Sequence, residues 1–268
     1  MDSFGDRQFQ RYAKLIYDVF GIYLKEEKKQ VLQNKLSKLM GRNNISSYDD
    51  FYDILVRGKN KQIFIEFAQE ITINKTEFFR EINHFDFIKD KVAFILKNNE
   101  RIIKTGEIRV WSSASSTGEE PYTIAMVLKE CLPQGVKIKI LGTDISNRVL
   151  QAAQQGIYSA NIRNDVPPYY LQKYFQKVGE KFRVGDTIKE LLTFRVFNLM
   201  STFPFKNTFD IIFCRNVMIY FDLQVQQRLL DKFYQVLTTG GLLFIGHSES
   251  LTGKSHKFEY VQPTIYIK

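Results

Sequence analysis

The feature that most constrains this chain is a three-part run at residues 108–128. Ile108-Arg109-Val110-Trp111 has the bias of a short β-strand. Ser112-Ser113-Ala114-Ser115-Ser116-Thr117-Gly118 breaks it with small side chains, and Glu119, Glu120 and Pro121 then open a helix carrying Ile124, Ala125, Val127 and Leu128. Val136 to Leu141 reads as a second strand, ending in Gly142-Thr143-Asp144. Phe209 to Cys214, Gly240 to Gly246 and Thr264 to Ile267 read as three more. Strands alternating with helices imply βαβ units and an α/β fold with a mostly parallel sheet covered on both faces.

The first 70 or so residues have a different texture. Phe9, Tyr12, Ala13, Ile16, Tyr17 and Phe20 recur at three- and four-residue spacing, and Gly21 closes the run. A second helix is expected from Lys25 to Met40. Ser47 opens a third bearing Tyr48, Phe51, Tyr52 and Leu55, and a fourth carries Ile63, Phe64, Phe67 and Ala68. The expected organisation is a small all-α domain at 1–72, a linker and helix at 73–106, and a sheet domain at 107–268. Lys181–Asp186 and Leu191–Val196 read as a small antiparallel insertion at about 178–197.

Several classes fall away on composition. The 268 residues hold no apolar run of membrane-spanning length, and Met1-Asp2-Ser3-Phe4-Gly5-Asp6 is not a secretory signal, so no membrane insertion is expected. Two cysteines, Cys131 and Cys214, are too few for a disulfide framework and fit a reducing cytoplasmic setting. The three histidines have no ligand spacing with either cysteine, so no metal is expected. A net charge of +9 points to an acidic partner.

Ligands of open α/β sheets bind beyond the carboxyl ends of the strands. Three features meet there: the small-residue turn 112–118, Asp144 at 26 residues beyond Gly118, and Cys214-Arg215-Asn216. Small residues let backbone N–H groups approach a ligand, and an acid ending the second strand can accept both hydroxyls of a ribose. The phosphate-binding G-x-G-x-x-G is missing, which excludes the nicotinamide oxidoreductases. Glu119 and Glu120 would repel a pyrophosphate but suit an amino group and a sulfonium, which points to S-adenosylmethionine.

The blocks Ile71-Thr72-Ile73-Asn74-Lys75-Thr76-Glu77-Phe78-Phe79-Arg80-Glu81 and Val110 to Tyr122 resemble signatures of the chemotaxis receptor methyltransferases, the CheR family. Phe213-Cys214-Arg215-Asn216-Val217-Met218-Ile219-Tyr220-Phe221-Asp222 and Gly246-His247-Ser248-Glu249-Ser250 are similar to two more. Lys75 and Ser115 depart from the usual residues. The resemblance implies a class I S-adenosylmethionine-dependent methyltransferase, Rossmann-like, with a helical N-terminal domain and a small antiparallel β insertion. It also implies methylation of glutamate side chains on the cytoplasmic part of chemoreceptors, with S-adenosylhomocysteine as product. The resemblance puts Asn74, Thr76, Arg80, Ala114, Glu120, Asp144, Asn198, Leu199, Arg215 and Asn216 at the cofactor, and Arg80 and Tyr220 at the reacting methyl.

A glutamate is already ionised at neutral pH, so this transfer needs positioning and desolvation rather than a general base. Lys28, Lys35, Lys38 and Arg42 fall within a sector of about 80° on one helix and form the expected docking face for an acidic receptor. Cys214 reads as packing and His247 as a structural contact. Two rival readings are a non-catalytic cofactor-binding signalling module and a nucleic-acid methyltransferase. The second is invited by the charge and by Asp165-Val166-Pro167-Pro168-Tyr169, but an extra valine and the wrong position argue against it. The expected protein is a monomer that binds receptor and no nucleic acid.

Overall fold

Apolar spacing does build helices through residue 71 in the computed structural model, which describes residues 4–58, 60–72, 74–205 and 208–268. Met1 to Ser3 and Ile73 of the first signature block lie outside the described residues. Helix α1 (Asp6–Phe20) buries Phe9, Tyr12, Ile16 and Phe20 on one face. It stops at Gly21, whose φ of 72° is left-handed and whose N–H returns to the Tyr17 carbonyl. Lys25 to Met40 is not one helix. A single 3₁₀ turn at Glu26–Lys28 comes first, and α2 runs Lys29–Arg42. Helix α3 (Tyr48–Arg57) is capped by Ser47 and α4 (Lys61–Ile71) by Asn60. Their inner faces close over one core, with Phe51 edge-on to Phe67.

Helices α5 (Asn83–Asn98) and α6 (Glu100–Thr105) lead into β1 (Glu107–Ser112), α7 (Glu119–Cys131), β2 (Lys137–Asp144) and α8 (Asn147–Gln155). There follow β3 (Ile157–Ser159), α9 (Pro168–Tyr174), β4 (Phe175–Val178), β5 (Lys181–Val184), α10 (Asp186–Lys189) and β6 (Leu192–Val196). The chain ends with β7 (Phe209–Cys214), α11 (Leu223–Val236), β8 (Leu237–Ile245), β9 (Glu259–Gln262) and β10 (Ile265–Ile267). The seven-stranded sheet has the order β6-β2-β1-β7-β8-β10-β9, parallel except that β10 runs antiparallel to both its neighbours. Side chains alternate between two cores. Ile108, Val110, Ile211, Phe213, Leu242 and Phe244 pack on one face, and Trp111, Ile212, Cys214, Leu243 and Ile245 on the other.

The small antiparallel sheet is real but differs from the expected insertion. It consists of β3, β5 and β4, whereas Leu192–Val196 is the edge strand of the main sheet, parallel to β2. Alternating Leu192 and Phe194 signals a half-buried strand but not which sheet takes it. Gly142 opposite leaves the space that the Phe194 ring fills, since a Cβ there would lie 2.7 Å from it. Strand β9 escaped the sequence reading, and β8 begins at Leu237 rather than Gly240.

The chain turns back between β1 and β7. Strand β2 lies on one side of β1 and β7 on the other, so a crevice opens at their carboxyl ends. Gly118, at the start of α7, holds the turn there with φ of 98°, and a Cβ would meet that of Ala153 at 2.8 Å. Gly118→Ala should therefore cost about 1–3 kcal/mol in urea unfolding. Gly135→Ala, with φ of 95° but nothing within 4 Å, should cost clearly less, and equal losses would refute the contact.

Candidate functional site

The crevice is a cavity of about 510 Å³, within the range of small-molecule sites. Its sheet-side wall is built from three strand ends: Ser113, Ala114 and Ser116 after β1, Asp144 and Ile145 after β2, and Arg215 to Val217 after β7. The segment between α4 and α5 adds Asn74, Thr76 and Arg80, which lie before the helix rather than on it. Asn198, Leu199 and Tyr220 complete that wall, so every cofactor and catalytic residue expected from sequence lines the one cavity. Glu120 lines it as well. Glu119 instead turns to the Thr117 hydroxyl.

The opposite wall comes from the helical unit, through Phe20, residues 22–25, and Glu27, Lys28, Val31 and Lys35. Sequence reading missed this contribution. It arises because residues 21–24 lie along the 220–221 turn, where Ile22 bridges Phe221 and the Tyr23 N–H donates to the Tyr220 carbonyl at 2.9 Å.

The Asp144 carboxylate is buried, and each oxygen accepts one backbone N–H, Oδ2 from Ser116 at 3.0 Å and Oδ1 from Ser146 at 2.9 Å. Burial raises its pKa, partly opposed by those bonds. Each oxygen keeps acceptor capacity, which fits a vicinal diol. Apolar Ile145, Phe197 and Leu199 lie around it. Asn198 is at the wall, where Nδ2 donates to the Val19 carbonyl at 2.7 Å and Oδ1 accepts from the Met200 N–H at 2.9 Å, which uses one of its two donors and one of its two acceptor sites.

At the other end Arg215 is buried, its side chain 2% exposed. It donates to Glu81 Oε2 at 3.1 and 3.2 Å, to Glu120 Oε2 at 3.1 Å and to the Arg80 carbonyl. Glu120 also accepts from the Ser112 hydroxyl at 2.7 Å; burial nonetheless raises its pKa. Glu81 goes the other way. Burial is the largest influence and raises it, but Arg215, Asn216 Nδ2 and the His247 N–H together bring it below the ordinary carboxylate value. Arg80 donates to the Lys75 carbonyl at 3.1 Å. It also opposes the rise that burial imposes on the Tyr220 hydroxyl, which stays protonated at neutral pH.

Glu81 and Glu249 are the residues that sequence reading quoted within motifs without a role. Glu81, His84 and His247 also gather closely enough to be considered as cation ligands. Glu81 has already committed its oxygens to Arg215, Asn216 and His247, so the group is a polar network holding three segments together. Cys214 is packed in the core, and Asp165 to Tyr169 lies away from the cavity, with the Tyr169 hydroxyl on Glu130. The docking face is altered. Lys28 and Lys35 line the cavity, but Lys35 is half-buried and donates to the Glu70 carbonyl at 2.7 Å. Lys38 and Arg42 share the Glu70 carboxylate at 3.8 and 3.7 Å.

A mostly parallel sheet carries a buried acid at one strand end and an arginine paired with two carboxylates at another, a frame suited to a cofactor-binding α/β protein. The family model described as "CheR methyltransferase, SAM binding domain" matches residues 74–267, and "CheR methyltransferase, all-alpha domain" matches residues 7–72. The chain belongs to the CheR methyltransferase family, whose cofactor is S-adenosylmethionine. It is 40% identical to the chemotaxis protein methyltransferase of Borreliella burgdorferi, over 97% of this chain and 94% of that one. It is 34% identical to that of Escherichia coli, over 98% and 91%. A probable chemotaxis protein methyltransferase of Rhizobium etli is 36% identical over 94% and 96%.

Arg215→Met should cost about 3–5 kcal/mol at pH 7, because it leaves two buried carboxylates without their cation. In the native chain the lowered pKa of Glu81 contributes stability that is present above the unfolded value and lost as pH falls through the folded one. In the variant both carboxylates are raised, so its deficit should shrink as the pH is lowered towards 5. Urea unfolding at the two pH values checks this, and a deficit independent of pH would overturn it.

Proposed function

We propose that the chain transfers a methyl group from S-adenosylmethionine to glutamate side chains of chemoreceptors, giving glutamate methyl esters. The observation that carries this reading is the pairing of two hydrogen-bond donors, Arg80 and a protonated Tyr220, in the cavity that also holds Asp144 and Glu120. Donors at that position suit an incoming carboxylate, which arrives ionised and needs no proton removed. The names of the relatives, chemotaxis protein methyltransferases, support the same substrate class.

Asp144 takes the ribose hydroxyls, and Ile145, Phe197, Asn198 and Leu199 surround the base. Asn74, Thr76, Ala114, Glu120, Arg215 and Asn216 hold the amino-acid end. When bound, the cofactor supplies a methyl on a cationic sulfur, and transfer cancels that charge against the carboxylate. Strong stabilisation of either charge before transfer would oppose the reaction, so Arg80 and Tyr220 orient without exchanging protons.

Methyl-labelled cofactor should label receptor-containing membranes with a group that mild alkali releases as methanol, as a carboxyl ester requires. Arg80→Ala should lose that label at every pH across the neutral range. Alkali-stable label, or label on added nucleic acid instead, would refute the assignment.

The acidic receptor is steered by exposed lysines of the helical unit, Lys28, which lines the cavity, and Lys38, whose contact with Glu70 is long at 3.8 Å. Lys28→Glu together with Lys38→Glu should raise the receptor KM several-fold at low salt, with cofactor affinity unchanged. The effect should fade at about 1 M salt. A receptor KM equal to wild type at low salt would dispose of this docking face.

A further inference from the structure

We propose that Glu249 is a positioning residue for methyl transfer: it does not line the cavity, but its buried carboxylate holds the 216–220 turn on the path that aims Tyr220 and Asn216 into it. This deepens the methyl-transfer reading and rests on it.

Glu249 Oε2 accepts the backbone N–H groups of Gly246 at 2.6 Å and Asn216 at 3.1 Å. Oε1 accepts those of Val217, Met218 and Ile219 at 3.0, 2.7 and 3.3 Å. The residue is 8% exposed, and among the described residues no lysine, arginine or histidine forms an ion pair with it. Its carboxylate is held by four successive N–H groups of the turn and one from its own loop, an arrangement like those that bind anions at helix starts. That turn is strained. Asn216 has φ of 57°, a region costly for a residue with a side chain.

The approach of the two loops is also built in. A Cβ on Gly246 would fall 2.8 Å from the Asn216 nitrogen and 2.5 Å from its Nδ2, so only glycine lets the loops close. At its far end the turn is held by the Tyr23 N–H on the Tyr220 carbonyl. Asn216 and Tyr220 lie at these two anchored ends, and both line the cavity.

Glu249→Gln keeps the shape but removes the fit. An amide offers one acceptor oxygen, so its NH₂ must face one of the two groups of N–H donors and leave them unpaired. Two readouts decide the matter, with active sites counted by S-adenosylhomocysteine titration. Hydrogen exchange of the 216–219 amides should quicken while the strands keep their protection. Turnover per cofactor-binding site should fall about tenfold or more, with receptor KM little changed. In a Tyr220→Phe background the same change should cost much less, because both act on one group.

Unchanged exchange in 216–219 overturns the proposal whatever the activity does. Turnover per site equal to wild type, with only a lower Tm, also overturns it and leaves Glu249 a stability residue. Additive losses with Tyr220→Phe overturn the route through Tyr220. Should Glu249→Gln not fold, Glu249→Asp, which keeps the charge and withdraws it by one methylene, is read by the same measurements. Wild-type protein that transfers no methyl to receptor would sink the methyl-transfer reading instead, while the exchange experiment still decides whether Glu249 orders the turn.

Discussion

The buried Arg215 guanidinium is the interaction on which the rest of the site depends. It comes from the end of β7 and reaches the Glu81 carboxylate and the Arg80 carbonyl on the segment before α5, and Glu120 on the first turn of α7. Three stretches far apart in sequence are thereby drawn to one point, and the Phe85 ring lies 5.6 Å from the guanidinium carbon. A buried ion pair is weak evidence for stability, because desolvation offsets much of the attraction. Its value here is geometric. A guanidinium presents its donors in a fixed plane, so the partners cannot drift without leaving a charge unpaired.

Backbone strain collects at the same place. Among the described residues, Asn44, Phe79, Glu81, Ser116, Asn216 and Thr264 have positive φ without being glycine. Ser116 and Asn216 line the cavity, Phe79 and Glu81 flank Arg80, and Thr264 supports His84 through a 2.7 Å bond. Each such residue costs roughly 1–3 kcal/mol and persists only where its surroundings leave no alternative. The surroundings here are hydrogen bonds to side chains: Ser116 N–H on Asp144, Asn216 N–H on Glu249, and Asn216 Nδ2 on Glu81. These bonds fix the backbone of the site, while Asp144, Arg80 and Tyr220 keep polar capacity for a ligand.

Much of this was legible in the sequence. The strand–turn–helix run at 108–128 dictated a parallel sheet, and the strand-end rule placed Asp144 and Arg215 in one crevice. What stayed hidden has a common physical cause, which is that a periodic pattern reports burial but not the partner. Leu192 and Phe194 alternate as any half-buried strand does, so their membership of the main sheet was invisible. Lys28, Lys35, Lys38 and Arg42 look like one cationic face because helical spacing says nothing of Glu70, which approaches from α4. Glu81 and Glu249 stood in plain view inside motifs, yet Glu81 meets the Arg215 and Asn216 side chains and the His247 N–H, and Glu249 meets mostly the N–H groups of residues 216–219, partners that sequence spacing does not reveal.

The wall supplied by the helical unit shows why the two parts of the chain cannot be treated as independent. Asn198 and Val19 are joined by a hydrogen bond, Tyr17 donates to Asp222 at 2.6 Å, and Ile22 pairs with Phe221. The sheet alone would leave Asp144 and Tyr220 open to water, where charge interactions are weak. The helical unit also brings Lys25, Glu27, Lys28 and Lys35 to a cavity whose sheet side carries Glu120 and Asp144 beside Arg80 and Arg215, so the lining mixes both signs of charge. Closure by the helical unit limits the water around those charges, and the site therefore exists only where the two parts of the chain meet.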